Sequence, residues 1–327
     1  MPSSAYTREQ IDQFLDHIQL PPQYRHAAPS YALLRALHTH MLAAVPYENL
    51  AIHYNPTHAV NLDPQHLFQK IVTNKRGRGG YCMENAILYN HALVALGFDA
   101  YTAGVRTRLR QGGVPAGDFP GWVHIVSIVE FANGDKYHVD IAFGGDCATK
   151  PLPLIDDGRV HSNLGAQQVR LVRDWIPAQL KRTEDTKLWI YEYRNAADAA
   201  WNPFYAFSLL EFLPNDWEVV NLYASSDPRS WQTRTVIAIR FLRRARQDTS
   251  GDGKDDGEEE GEQEQEIYGK RMLVDGVVKE NLGGRTVVVY ECRTEEDRTE
   301  HALEKYFGIR LTDEEKNAIK GWRTALA

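Results

Sequence analysis

The hydrophobic period of this chain changes once, near residue 100, and that change restricts the fold more than any single motif. Before it, apolar residues recur at helical spacing. Ile11, Phe14, Leu15 and Ile18 share one face, behind a Thr7/Gln10 pair at capping-box spacing. Leu33, Leu34, Leu37, Met41 and Leu42 share another over residues 30–43. Asp63-Pro64 starts a third helix, with Asp as N-cap and Pro in the first turn, and Leu67, Phe68, Ile71 and Val72 form its buried side. A fourth runs over 82–96, and Gly97 stops it. After residue 100 the spacing becomes two. Residues 100–109, 122–131, 136–143, 169–175, 187–194, 233–243, 268–275 and 285–292 read as strands, and helices return at 295–307 and 312–325. Residues 204–213 and 216–224 give a mixed signal. With 327 residues, too many for one hydrophobic core, the expectation is an α+β multidomain chain. Its parts are a helical segment over 1–98, a mainly β segment over 99–212, and a mixed segment over 213–327.

The net charge of −7 is localised. Residues 248–266 carry ten acidic side chains and one lysine, leaving the remainder close to neutral. That stretch has no aliphatic or aromatic residue, so it has too little apolar surface to offset its ordering entropy, and it reads as a disordered loop between strands. The rest has no basic excess that would suit nucleic acid. No apolar run has membrane-span length, the N-terminus shows no signal pattern and the C-terminus no lipidation pattern, so a cytoplasmic setting is expected. Three cysteines far apart, Cys82, Cys147 and Cys292, do not form a disulfide framework, and a reducing setting keeps Cys82 a thiol.

Cys82 stands out among them. It follows Gly79-Gly80-Tyr81 and opens a helix. The glycines allow a sharp turn and a close approach to the backbone. The helix start offers free N–H groups and the positive end of the dipole, which predicts a lowered thiol pKa. A thiol nucleophile needs a base, and the base needs an orienting group. Among twelve histidines, His124 in the run Trp122–Glu130 is the best base. Asp140, flanked by Val139 and Ile141, breaks its apolar surroundings and is the orienter, since a buried carboxylate is costly without a partner.

Strand parity tests this pair. Across an antiparallel hairpin, paired residues share a face. A two-residue turn at Asn133-Gly134 puts His124 and Asp140 on opposite faces. A three-residue loop, Ala132-Asn133-Gly134, sets Asp140 opposite Val126, on the face of His124 and diagonal to it at about 7 Å. The triad therefore demands an odd loop or a bulge, with Gly134 in the left-handed region.

Other patterns are absent. There is no His-Glu-x-x-His, Cys-x-x-Cys or phosphate loop, and His38/His40 and His53/His58 lack zinc-type spacing, so no metal is expected. Residue chemistry alone thus leads to a cysteine acyl-transfer or hydrolytic enzyme. A non-catalytic small-molecule-binding module has no need of all three residues.

Taken together, Arg78-Gly79-Gly80-Tyr81-Cys82-Met83-Glu84-Asn85, Val45-Pro46-Tyr47-Glu48-Asn49-Leu50, Val123-His124-Ile125-Val126 and Val139-Asp140-Ile141-Ala142-Phe143-Gly144 resemble the arylamine N-acetyltransferases. The resemblance runs over nearly the whole chain. It implies a helical bundle, then a β-barrel, then an α/β lid, around a Cys-His-Asp core of the cysteine-protease and transglutaminase kind. It implies Cys82, His124 and Asp140 as the triad, with Arg78 and Glu48 as a supporting ion pair. Tyr47, Val123 and Phe143 match acceptor-pocket positions; Gly121, Trp122 and Ser230 match positions near coenzyme A. The implied reaction is ping-pong transfer of acetyl, or a related acyl group, from acyl-CoA to arylamines or arylhydrazines, without a metal. Related readings are an amide synthase, a transglutaminase- or protease-like hydrolase, and a CoA-binding module without catalysis. Ala142 and Gly145 depart from the family pattern beside the pocket, and the acidic insertion resembles fungal-type members, some of which use other acyl groups.

Overall fold

The computed structural model describes residues 3–246 and 264–326. Helices dominate the first hundred residues: α1 (Arg8–His17), α2 (Tyr31–Ala44), α3 (Leu50–Tyr54), α4 (Pro64–Phe68) and α5 (Cys82–Ala95). Their starts follow the capping chemistry. Thr7 and Gln10 form a capping box on α1, and the Asp63 side chain accepts the His66 N–H on α4. A single π-turn, Gln69–Thr73, extends α4 and carries Lys70 inward. No helix among the described residues is long and apolar enough to cross a membrane.

One short strand interrupts these helices, β1 (Tyr47–Glu48). The β segment then supplies β2 (Asp99–Thr107), β3 (Leu109–Gln111), β4 (Val114–Ala116), β5 (His124–Glu130), β6 (Lys136–Val139), β7 (Leu152–Pro153), β8 (His161–Ser162), β9 (Gln168–Asp174), β10 (Leu188–Arg194) and β11 (Asn202–Glu211). Eight of them form one antiparallel sheet in the order β7-β6-β5-β2-β11-β10-β9-β8. The sheet curls into a half-barrel where the resemblance implied a β-barrel. Its two end strands, β7 and β8, are two residues each and pair with one neighbour only, offering too little edge to close.

Beyond β11 the mixed signal resolves into helix α6 (Pro214–Ser226), which begins at a proline and holds Trp217 and Val220 against the core. A second sheet follows, with β12 (Ile237–Ala245), β13 (Gln265–Val274), β14 (Val277–Asn281) and β15 (Val287–Glu291) in the order β1-β12-β13-β14-β15. Its first strand therefore comes from the N-terminal segment: Tyr47 pairs with Ile239 and Glu48 with Ala238. The acidic loop expected at 248–266 lies outside the described residues up to 263. Its end is corrected: Gln265 and Glu266 already belong to β13, and Glu266 accepts a hydrogen bond from Arg244 at 2.9 Å. A π-helix (Asp297–Phe307), ended by Gly308 at φ +69°, and the short α7 (Asp313–Ala318) complete the chain. The helix expected over 312–325 stops at Ala318, although its Thr312/Glu315 capping box is present.

β5 is buried on both faces. Ile125 and Val129 pack with the helices, while Val126 and Ile128 pack inside the half-barrel beside Tyr191, Tyr205 and Phe207. Two histidines are sealed in the same region. His38 Nε2–H donates to the Ala148 carbonyl at 2.9 Å, and His138 Nε2 lies 2.8 Å from the Tyr205 hydroxyl. The Nδ1 atom of each has no partner, which suits the uncharged ring. Burial lowers both to a pKa of about 4. Between pH 6.5 and 4 the unfolded chain binds these protons and the folded chain does not, so stability is full above that window and falls on acidification. Urea unfolding at pH 7 and at pH 5 is expected to show a loss of about 1 kcal/mol per pH unit or more. A midpoint unchanged over that range would refute buried, neutral histidines.

Candidate active site

The candidate nucleophile is built by backbone proximity. A side-chain carbon on Gly79 would lie 1.8 Å from the Pro46 carbonyl oxygen, and one on Gly80 would lie 2.4 Å from Glu84 Cβ. These glycines are needed for close approach. The left-handed residues of this loop are Lys75 and Gly77, so the sharp turn falls two to four residues before Gly79. The approach lets Glu48 N–H donate to the Gly80 carbonyl at 3.0 Å and Asn85 Nδ2 donate to the Pro46 carbonyl at 3.2 Å. Tyr81 then serves as N-cap, its N–H donating to the Glu84 carboxylate at 3.1 Å, and Cys82 is the first residue of α5.

The expected lowering of the Cys82 pKa is corrected. Cys82 is 4 % exposed, and burial pushes its thiol up. The N–H groups of Met83 and Cys82 at the helix start pull the other way, but burial is the larger effect, and the Asp140 and Glu84 charges add to it. Helix position alone therefore does not make a thiolate here. The sulfur sits 4.0 Å from the carbonyl oxygen of Val123, the neighbour of His124.

The hairpin between β5 and β6 has the odd loop that parity demanded. Ser127 faces Val139, Ile128 faces His138, Val129 faces Tyr137 and Glu130 faces Lys136. Phe131 and Asp135 close a three-residue loop with a 2.8 Å hydrogen bond, and Gly134 takes φ +90°. His124 opens β5 and Asp140 follows the last residue of β6. His124 Nε2–H donates to Asp140 Oδ2 at 2.9 Å, and the other carboxylate oxygen accepts the Ala142 N–H at 2.9 Å. Both residues are buried. Burial opposes ionisation of Asp140, yet the His124 ring and the Ala142 N–H hold the carboxyl below its usual range. With its proton on Nε2, the His124 ring leaves Nδ1 as the basic atom.

Cys82 and His124 wall one cavity of about 480 Å³, together with Tyr47, Val123, Phe143 and Phe204. The Tyr47 hydroxyl accepts from Gln232 Nε2 at 2.6 Å, and Phe143 stacks edge-on against Phe204 with centroids 4.6 Å apart. Ser230 also reaches the cavity, and its hydroxyl donates to the Ala224 carbonyl at 2.7 Å. Gly121 and Trp122 are not among the cavity walls. Gly121 is exposed, and Trp122 packs against Phe212 beneath the Arg106 guanidinium.

Behind Cys82 lies a buried charge network. Arg78 Nε–H donates to Glu48 at 2.8 Å, as the resemblance implied. Four members were not foreseen. Lys70 donates to Glu84 at 2.6 Å, and Glu315 of α7 pairs with both Arg78 and Arg76. Burial opposes charge on Glu48, but Arg78 and Lys70 hold it below its usual range. Glu84 is shifted upward, because burial and Glu48 outweigh Lys70. The available signal was Glu84 itself, three residues after Tyr81, at the N3 position of a helix.

Comparison with known proteins finds matches over most of the chain. The family model described as N-acetyltransferase matches residues 30–283. The N-malonyltransferase FDB2 of Fusarium pseudograminearum is 31 % identical over 338 residues, covering 96 % of this chain and 92 % of that protein. Among solved structures, the arylamine N-acetyltransferase of Nocardia farcinica superposes with a TM-score of 0.73 at 25 % identity, over 96 % of this chain and 94 % of the other. The Mycobacterium marinum enzyme solved in complex with CoA shares the fold, with a TM-score of 0.72 at 23 % identity, over 96 % and 98 % of the two chains.

Proposed function

Since the chain belongs to the arylamine N-acetyltransferase family, we propose that it moves an acyl group from coenzyme A to the nitrogen of an arylamine or arylhydrazine through an acyl-cysteine at Cys82. The observation that carries this reading is the buried 2.9 Å His124–Asp140 bond in the wall of a cavity that also holds Cys82. In this reading residues 1–98 bring the nucleophile, 99–212 the base and its partner, and 213–327 the lid.

A thiol raised by burial is a poor nucleophile until its proton leaves. His124 Nδ1 takes that proton, and the Asp140 carboxylate stabilises the imidazolium and fixes its orientation. The thiolate adds to the thioester carbonyl. The tetrahedral adduct collapses, the C–S bond to CoA breaks, and the CoA sulfur leaves with the proton from His124. An aromatic amine, largely unprotonated at neutral pH, then attacks the acyl-cysteine. His124 takes the amine proton, the amide departs, and Cys82 is restored. Tyr47, Val123 and Phe143 line the acceptor side, and Ser230, with Gly121 and Trp122 nearby in sequence to His124, is assigned to the CoA side. The relative named as an N-malonyltransferase supports a donor range that includes malonyl-CoA beside acetyl-CoA.

Intact mass spectrometry tests this directly. Mixed with acetyl-CoA or malonyl-CoA and no amine, the protein is expected to gain one acyl group on Cys82, and an added arylamine is expected to remove it. No gain with either thioester, while iodoacetamide still alkylates Cys82, would sink the proposal.

A further inference from the structure

One wall of the cavity carries a charge cluster that the acyl-transfer steps do not use. Arg110, in β3, reaches the cavity, as do Gly145 and Asp146 just beyond Phe143. Asp146 is held from two sides. Arg110 Nη2 donates to one oxygen at 2.7 Å, and Lys270 Nζ of β13 stands 3.6 Å from the other. Lys270 is 7 % exposed and also donates to the Gly145 carbonyl. Burial opposes charge on Asp146, but Lys270 and Arg110 overcome it and keep the carboxyl below its usual range. Two cations therefore share one carboxylate, which leaves one positive charge uncompensated.

The cluster, net positive by one, meets the cavity through Arg110 and Asp146. Lys270 lies behind Asp146 and Gly145 and does not itself reach the cavity wall, so it neutralises Asp146 from the rear. The remaining contacts of Arg110 are to neutral groups, the Gly113 carbonyl and the Tyr193 hydroxyl, with its guanidinium 4.8 Å from the Phe204 ring centre. Aromatic groups connect this end to the candidate base. Phe204 stacks on Phe143, and Phe143 lies 5.2 Å from the His124 ring centre. A flat substrate laid along Phe143 and Phe204 has one end at His124 and the other at Arg110. Gly145 leaves room for the Lys270 ammonium behind it, since a side-chain carbon there would meet Met272 Sδ at 3.3 Å and Lys270 Nζ at 3.6 Å.

Accepting the transferase reading, we propose that Arg110, with Lys270 balancing Asp146, forms a receptor for a substrate carboxylate at the end of the cavity away from Cys82. Guanidinium is the side chain suited to this, being planar, always charged and able to offer paired N–H donors to a carboxylate. The carboxylate has two possible carriers, the aromatic acceptor or a dicarboxylic acyl group such as malonyl. They share one recognition chemistry.

The test measures ratios of kcat/KM in the full-length protein and two variants. In one arm malonyl-CoA is compared with acetyl-CoA, both with 4-methylaniline as acceptor. In the other, 4-aminobenzoate is compared with 4-methylaniline, both with acetyl-CoA. Arg110→Gln is expected to lower the carboxylate-to-neutral ratio at least about tenfold in one arm, the size of effect for a lost charged hydrogen bond. The arm that responds identifies the carrier. Asp146→Asn is expected to raise the same ratio, because it frees a second positive charge, and this opposite direction keeps the proposal testable if Arg110→Gln folds poorly. Unchanged ratios in both arms overturn the receptor. So does a uniform rise in KM for every CoA thioester, which assigns Arg110 to coenzyme A instead. Failure of the transferase reading looks different: no acyl group appears on Cys82 from any thioester in the unaltered protein.

Discussion

Replacing Cys82 with alanine is expected to lower amine acylation by at least ~1,000-fold, as for removal of the nucleophile from a triad. The fold has no substitute to offer. Cys147 is close in space to the site but buried, its sulfur accepts the Phe143 N–H at 2.9 Å, and burial holds its thiol well above the ordinary range. Cys292 packs against the cluster around Leu303 and Phe307 and is not among the cavity walls. Cys82→Ser is expected to fail nearly as completely, since a hydroxyl in the same buried position is harder to deprotonate than the thiol it replaces. Both variants should remain folded, losing no more than about 1 kcal/mol in urea unfolding, because each changes a single buried heavy atom whose polar contacts are limited to Met83 Sδ and the Val123 carbonyl. Steady-state rates and intact mass measure the outcome. Activity above a tenth of the parent in Cys82→Ala would remove the acyl-cysteine from the mechanism.

The second large effect concerns stability. Arg78→Ala is expected to cost about 3–5 kcal/mol, the range found when one partner of a buried ion pair is removed. Arg78 is 2 % exposed and spans two carboxylates, Glu48 through Nε and Glu315 through a terminal nitrogen. Without it, fully buried Glu48 keeps only Lys70, 3.7 Å away, and the Leu50 N–H. Arg78→Lys should rescue little, because one ammonium has no fork to bridge both acids. The contrast is Arg76, one turn of loop away and more exposed, whose pairing with the same Glu315 should be worth no more than about 1 kcal/mol. Urea unfolding of the three variants separates them. Equal midpoints for Arg78→Ala and Arg76→Ala would show that burial of the network carries no energetic weight.

Much of the fold could be read from period and punctuation, and the failures have physical causes. The helix starts at Thr7, Asp63 and Thr312 were visible because a side-chain oxygen must satisfy the first N–H groups, a local demand. The His124–Asp140 geometry was reachable because strand parity is a counting rule, and the loop at Ala132–Gly134 obeys it. Residues 268–275 and 285–292 were read as two strands, whereas three are present. Asp275-Gly276 is a two-residue hairpin turn joining Val274 to Val277, a local signal that the apolar runs on either side obscured. The half-barrel was less accessible, since closure depends on whether edge strands meet. Nor could a sequence pattern bring Glu315 to Arg78 or Lys270 to Asp146, contacts between residues far apart in the chain. The Cys82 pKa went astray for a related reason. Helix position is local and visible, while the burial that outweighs it is assembled by the whole molecule.

The two residues of β1 have a kinetic meaning. The Asn49 side chain accepts the Ile237 N–H across 188 positions, Tyr47 pairs with Ile239, and the same short segment touches the backbone of Gly79 and Gly80. Contacts of that sequence separation carry a large loop-closure cost and form late. The loop before Cys82 can therefore reach its final shape only after β12 has left the ribosome and docked. On the proposed mechanism, Cys82 gains its reactivity only as that loop closes around it. A nascent chain built this way should not acylate itself from the surrounding thioester pool until the rest of the protein is in place to direct the acyl group onward.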